Sequence, residues 1–292
     1  MKRIFIAALF VAVVAVPQYA KAWGAWSHRL VAYIAKEHLT PEAKAAVDRY
    51  IGGDMVKDAT WMDRVASWTK KSKGHIPGYY ETSSWHMVTV GKDLRLSNAR
   101  KYTNDGDLMP NLAKCIDNLK NRRELSDSAV VTNLRCVLHM VGDMHCPSHT
   151  YYLEFPHTFG EVSPAKGSNI PKIRRNDQRS VIHNGKKTTY HKVWDGLSIR
   201  ELYPQFGAKY EPYRVEFEKL YSPAKIKKIC KGTIEDWALE NAKNNRAIYD
   251  WIEEHNHNID TAFLEEHRDL SISQLMKSAF RLAHVLNECF AK

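Results

Sequence analysis

The stretch His139-Met-Val-Gly-Asp143-Met-His-Cys-Pro-Ser-His149 carries, in His139, Asp143 and His149, side chains of types that bind divalent metals. At a helical spacing of four, His139 and Asp143 share one face, about 40° apart around the axis. Pro147 has no backbone N–H and clashes with the preceding turn, so a helix must end near it. His149 is thereby released into a turn that can fold back toward the same face. Two imidazoles and a carboxylate suit a divalent cation, and imidazole-rich ligation points to zinc. Further donors recur along the chain. Trp61-Met-Asp63 offers a carboxylate and Trp85-His86-Met87 an imidazole. His191-Lys-Val-Trp-Asp195 repeats the His-x₃-Asp spacing. Trp23-Gly-Ala-Trp-Ser-His28 offers an imidazole and, if the chain is cut before Trp23, an α-amine with its carbonyl. No close cysteine pair has zinc-finger spacing, so any metal falls to His and Asp. The remaining histidines read as structural, with His145 the closest alternative because it lies inside the central motif.

These donors must be positioned by helices. Ala129 to Val141 is an apolar, helix-patterned run ahead of the motif, within a helix expected over Asp127–Met144. Ser27–Leu39 has an apolar stripe at Leu30, Val31, Ile34 and Ala35. Thr40-Pro41 starts a second helix to about Ile51. Asp54 caps a third, expected to run to about Trp68. Ser84–Val90 alternates like a short strand or extended segment. A helix over Leu108–Arg123 follows. From Tyr151 to Thr189 the periodicity fails, and a basic loop or hairpin is expected. Helical patterns resume over Val193–Leu202, Pro212–Leu220, Ala224–His255 with breaks allowed, Ile259–Glu266 and Ile272–Phe290. The fold class is mainly α: a single-domain, multi-helix bundle with a small β-hairpin or extended element.

The chain opens Met-Lys-Arg, continues with the apolar run Ile4–Val16 and reaches Ala20-Lys21-Ala22, the layout of a secretory signal. The run is shorter than the ~20 residues that span a bilayer. Residues 1–22 are therefore read as a removed signal and residues 23–292 as one exported domain without a membrane span. Losing Lys2, Arg3 and Lys21 lowers the formal charge from +10 to +7, which favours polyanionic partners. Five cysteines allow at most two internal bridges, with buried reduced thiols as the alternative.

Taken in order, Trp23-Gly-x₃-His28, Trp-x-Asp63, His86, His139-x₃-Asp143-x₅-His149 and His191-x₃-Asp195 resemble the zinc-dependent single-strand nucleases and 3′-nucleotidases of the S-one/P-one type. The expected signal cut falls immediately before the tryptophan this pattern requires. The resemblance implies three zinc ions. One would be held by Asp63, His86, His139 and Asp143. A second would take His149, His191 and Asp195. A third would take the amine and carbonyl of Trp23 with His28 and Asp143, making Asp143 a bridge. It also implies Asp63 and Asp143 as catalytic residues acting on an attacking water. The substrates would be single-stranded nucleic acid and nucleotides, the products 5′-phosphates and the enzyme a monomer. The family often places a basic residue three positions after the first aspartate. Here that position is Ala66, and Arg64 or the basic loop is the expected substitute. Gly167-Ser168-Asn169 stands where the family has Gly-Gly-Asn, which implies Asn169 near a base pocket with Met87 and Tyr79 or Tyr80. Two other readings use the same residues. One is a zinc phospholipase C-like enzyme, a more distant match. The other is a non-enzymatic exported protein that binds zinc or polyanions.

Overall fold

The computed structural model describes residues 24–65, 82, 85–91, 93–96, 108–152, 159–162, 172–175, 180–194 and 198–291. The signal segment, Trp23, Ala66, Tyr79, Tyr80, Asn169 and Asp195 lie outside the described residues.

The longest buried run belongs to the helix that bears the central motif. Ser126 caps it by accepting the Ala129 N–H, and Pro147 follows its end. This helix, α6 (Asp127–His145), has every residue from Cys136 onward buried, and burial continues through the 3₁₀ turn Pro147–His149 to Thr150. A helix buried on every side over half its length needs neighbours all round. They are α1 (Ala25–Glu37), α2 (Pro41–Ile51), α5 (Leu108–Lys120), α11 (Ile234–Glu254) and α13 (Arg268–Phe290). α13 lies along α6 and also packs on α1, α2 and α5. Leu30, Val31, Ile34 and Ala35 of α1 are fully buried, as the stripe requires. Thr40 accepts the Ala43 N–H, Pro41 takes the first turn, and Gly52 ends α2 at φ 63°, a left-handed cap that favours glycine.

Asp54 caps the next helix, but that helix is not continuous to Trp68. It divides into α3 (Met55–Asp58) and α4 (described over residues 61–65), with a turn at 59 and 60. The break frees the Ala59 carbonyl from helical pairing.

The expected extended segment contributes β1 (Val88–Val90). It pairs in parallel with β2 (Thr150–Tyr152), Val88 opposite Thr150 and Val90 opposite Tyr152. Within the basic stretch the described residues form paired strands, the hairpin alternative. β3 (Phe159–Val162) pairs antiparallel with β4 (Lys172–Arg175), and β5 (Ser180–His183) forms a hairpin with β6 (Lys186–Thr189). Asn184 and Gly185, at φ 48° and 71°, make the two-residue turn of that hairpin. Thr189 then caps α7 (Tyr190–Lys192), so the helix begins earlier than Val193. α8 (Ser198–Leu202), α9 (Tyr210–Glu218), α10 (Pro223–Ile229) and α12 (Thr261–Glu266) complete the chain with α11 and α13. The last helix starts at Arg268, four residues ahead of the apolar periodicity. All five cysteines are free thiols. No helix among the described residues is long and apolar enough to cross a membrane.

Candidate metal centre

Asp143 sits at the middle of the site, fully buried on the last turn of α6. Its two carboxylate oxygens face different imidazoles. Oδ1 lies 3.1 Å from His28 Nε2 and 3.7 Å from His149 Nδ1. Oδ2 lies 2.9 Å from His86 Nδ1 and 3.2 Å from His139 Nε2. His139 Nε2 is in turn 3.7 Å from Asp63 Oδ1 and 3.1 Å from His86 Nδ1. Two sets of donor atoms thus gather closely enough to hold a cation: His28, His139 and Asp143, and Asp63, His86 and His139. A third pair forms beside them. The His149 and His191 rings face each other with centroids 4.8 Å apart.

Two of the rings are held from behind by backbone carbonyls. His139 Nδ1 donates to the Ala59 carbonyl at 2.8 Å, the group freed by the break between α3 and α4, and this turns Nε2 toward the carboxylates. His149 Nδ1 donates to the His86 carbonyl at 2.5 Å, a contact set up by the β1–β2 pairing on either side. His28 stacks on His139 with centroids 3.9 Å apart.

The protonation states of His28, His149, His191 and Asp143 fit a cation. Burial lowers His28, pulls His149 down to about 3 and His191 to about 4, so these imidazoles are neutral at pH 7. Burial also pulls on His139, but the Asp143 and Asp63 carboxylates outweigh it and hold this ring up at about 9. Burial would raise Asp143, yet the positive charge of His139 holds it well below the ordinary carboxylate range. Asp63 Oδ2 and His149 Nε2 are buried and have no hydrogen-bond partner among the described residues. Leaving such atoms unpaired is costly, and a bound metal would satisfy them. Neutral imidazoles at His28, His149 and His191 with the ionised Asp143 carboxylate suit zinc, and His139 must give up its proton to join them.

Residues 23–291 match the family model described as S1/P1 Nuclease. This chain belongs to the S1/P1 nuclease family. It is 24% identical to Nuclease S1 of Aspergillus oryzae over 186 residues, 63% of this chain and 57% of that protein. It is 26% identical to Nuclease P1 of Penicillium citrinum, and to Nuclease PA3 of a Penicillium species, over 185 residues covering 62% of this chain and 59% of each. The alignments therefore span less than two thirds of the length of these curated relatives.

Within this S1/P1 family member, seven of the nine expected metal donors are described, and all seven fall in or beside the cluster. Trp23 and Asp195 lie outside the described residues. Arg64 donates to the Lys57 carbonyl at 2.9 Å and Thr60 Oγ1 at 2.8 Å, and its guanidinium lies 3.8 Å from Asp58. It braces the turn between α3 and α4. Met87 is buried, and its carbonyl accepts the Leu108 N–H. His145 donates from Nδ1 to Val141 and meets Arg281 at 3.1 Å. Burial pulls its pKa down to about 3, and both ring nitrogens have partners outside the cluster.

Three contributors escaped the sequence reading. Two are the backbone carbonyls of Ala59 and His86, which leave no trace in residue type. The third is Gly142. A Cβ built there would lie 2.6 Å from His28 Nδ1 and 2.8 Å from His28 Cε1. A glycine inside an apolar helix costs about 1 kcal/mol relative to alanine, and that cost was the available signal.

Proposed function

We propose that this chain, after removal of residues 1–22, is an exported zinc-dependent phosphoesterase. It hydrolyses phosphodiester bonds of single-stranded RNA or DNA, and 3′-phosphomonoesters, to leave 5′-phosphate products. The observation that supports this most is Asp143, a fully buried carboxylate whose two oxygens are shared among four imidazoles. Such an arrangement serves no hydrophobic purpose and fits a cluster of cations.

Asp63, His86, His139 and Asp143 would hold one zinc, His149, His191 and Asp195 a second, and Trp23, His28 and Asp143 a third. Bound zinc neutralises phosphate charge and lowers the pKa of water toward ~7. The chain's own groups supply orientation. Asp63, whose Oδ2 is buried and unpartnered, would hold zinc through one oxygen and use the other to orient the incoming water. The Ala59 and His86 carbonyls fix which nitrogen His139 and His149 present. A net charge of +7 on the processed chain attracts a phosphate backbone, and an unpaired strand can splay its backbone into a buried cluster where a duplex cannot.

The test is metal content and substrate choice on one preparation beginning at Trp23. The expected result is close to three zinc per chain with digestion of single-stranded DNA. Hydrolysis of phosphatidylcholine micelles without DNA cleavage would transfer the assignment to the lipid reading. Failure to take up zinc would remove both. Residues added ahead of Trp23 should cost one zinc and most of the activity.

A further inference from the structure

Two asparagines on α11, Asn241 and Asn245, are buried at 1% and 0% exposure and carry none of the chemistry above. Spaced by four, they lie one above the other on a single helix face. Their amides point at the backbone on either side of His149. Asn241 Nδ2 donates to the Cys146 carbonyl at 2.9 Å and the Met144 carbonyl at 3.1 Å, just before the histidine. Asn245 Nδ2 lies 3.5 Å from the Thr150 carbonyl, just after it. Each amide is oriented by a second donor. Gln274 of α13 donates to Asn241 Oδ1 at 2.6 Å, and Tyr190 donates its hydroxyl to Asn245 Oδ1 at 2.5 Å.

Tyr190 is fully buried and immediately precedes His191. One helix face therefore ties down both flanks of His149 and the residue next to His191, two segments that share no strand pairing with each other. The carbonyls at the end of α6 need donors in any case. What a simple cap does not require is the second link, running from the same helix through Asn245 to the hydroxyl of Tyr190.

We propose that Asn241 and Asn245 are positioning residues that set the separation and orientation of His149 and His191, and with them the affinity for the metal those two imidazoles hold. The inference rests on the metal reading above. Partners of metal-ligating histidines typically change affinity by about 10- to 100-fold.

The experiment compares zinc titrations, by competition with a chelating dye, of the processed chain and of Tyr190→Phe, Asn241→Ala and Leu119→Ala. Tyr190→Phe removes one hydroxyl and keeps the ring in the core. Leu119→Ala cuts a fully buried side chain on α5, away from these contacts, and serves as a control for lost stability. The expected result is one zinc equivalent bound about 10- to 100-fold more weakly in Tyr190→Phe, with the other equivalents unchanged and the metal-free melting temperature no lower than that of Leu119→Ala. Asn241→Ala should show the same loss if it folds. Wild-type affinity at every site in Tyr190→Phe would overturn the proposal. So would an equal loss of affinity in Leu119→Ala, since general loosening would then account for it. A wild-type chain that binds no zinc would instead bring down the metal reading on which the proposal stands.

Discussion

At Gly142 two physical preferences pull in opposite directions. Alanine is the better helix former by about 1 kcal/mol, so local propensity alone favours Gly142→Ala. The His28 ring, however, stacks on His139 at 3.9 Å and reaches to where the methyl would sit, 2.6 Å from Nδ1. The backbone of α6 cannot yield, being buried on all sides, so His28 must move away from Asp143 Oδ1. Gly142→Ala is therefore expected to keep its helix content by circular dichroism while binding the zinc at His28 about 10- to 100-fold more weakly. The proposed nuclease activity should fall alongside. Unchanged zinc content and activity would mean that His28 is not a ligand. Gly142→Ser should behave alike, because its Cβ meets the same atoms.

The elements that present these residues can be weakened separately from the site. Leu134 is fully buried on α6, five residues before His139. Leu134→Ala should cost about 2–5 kcal/mol by leaving a cavity, read in denaturant on the metal-free chain. Zinc bound per folded chain should stay at the wild-type value, since no donor or supporting carbonyl is touched. A fall in stoichiometry would show that α6 transmits core strain to the cluster. The helices that could be read from the sequence are those whose signals are local. The Thr40-Pro41 start, the Asp54 cap and the i, i+4 pairing of His139 with Asp143 all lie within one turn of the residues they govern. The break between α3 and α4 was hidden because Ala59 bonds a histidine 80 residues away. The β1–β2 pairing joins segments 62 residues apart, and parallel pairing has no connecting turn to betray it. The β5–β6 hairpin was legible in principle. Asn184-Gly185 is a strong two-residue turn signal, masked because each strand is only four residues long and the second, Lys186-Lys187-Thr-Thr, shows no alternation.

At the scale of the whole molecule, the cluster places several ionisable groups at the junction of α1, α4, the β1 segment, α6 and α7, so metal, pH and global stability are linked. Consider the chain stripped of zinc. His139 is raised from 6.5 to about 9 by folding, so its contribution is complete below pH 6.5 and is lost as pH rises through 9. His149 and His191, pulled down to about 3 and about 4, act the other way. Their contribution is complete above pH 6.5 and is lost as pH falls toward 4 and 3. From these groups the metal-free chain should be most stable near pH 6.5–7 and weaken in both directions. Zinc binding follows the opposite course on the alkaline side. It must displace the His139 proton, so apparent affinity should climb by up to about tenfold per unit between pH 7 and 9. Because ligand stabilisation grows with the logarithm of concentration over Kd, the gap in melting temperature between the zinc-loaded and chelator-treated chain should widen from pH 7 to pH 9. Scanning calorimetry at the two pH values, at one fixed free zinc concentration, reads the gap directly. A gap that stays constant would mean His139 does not give up a proton to the metal, and would remove it from the ligand set.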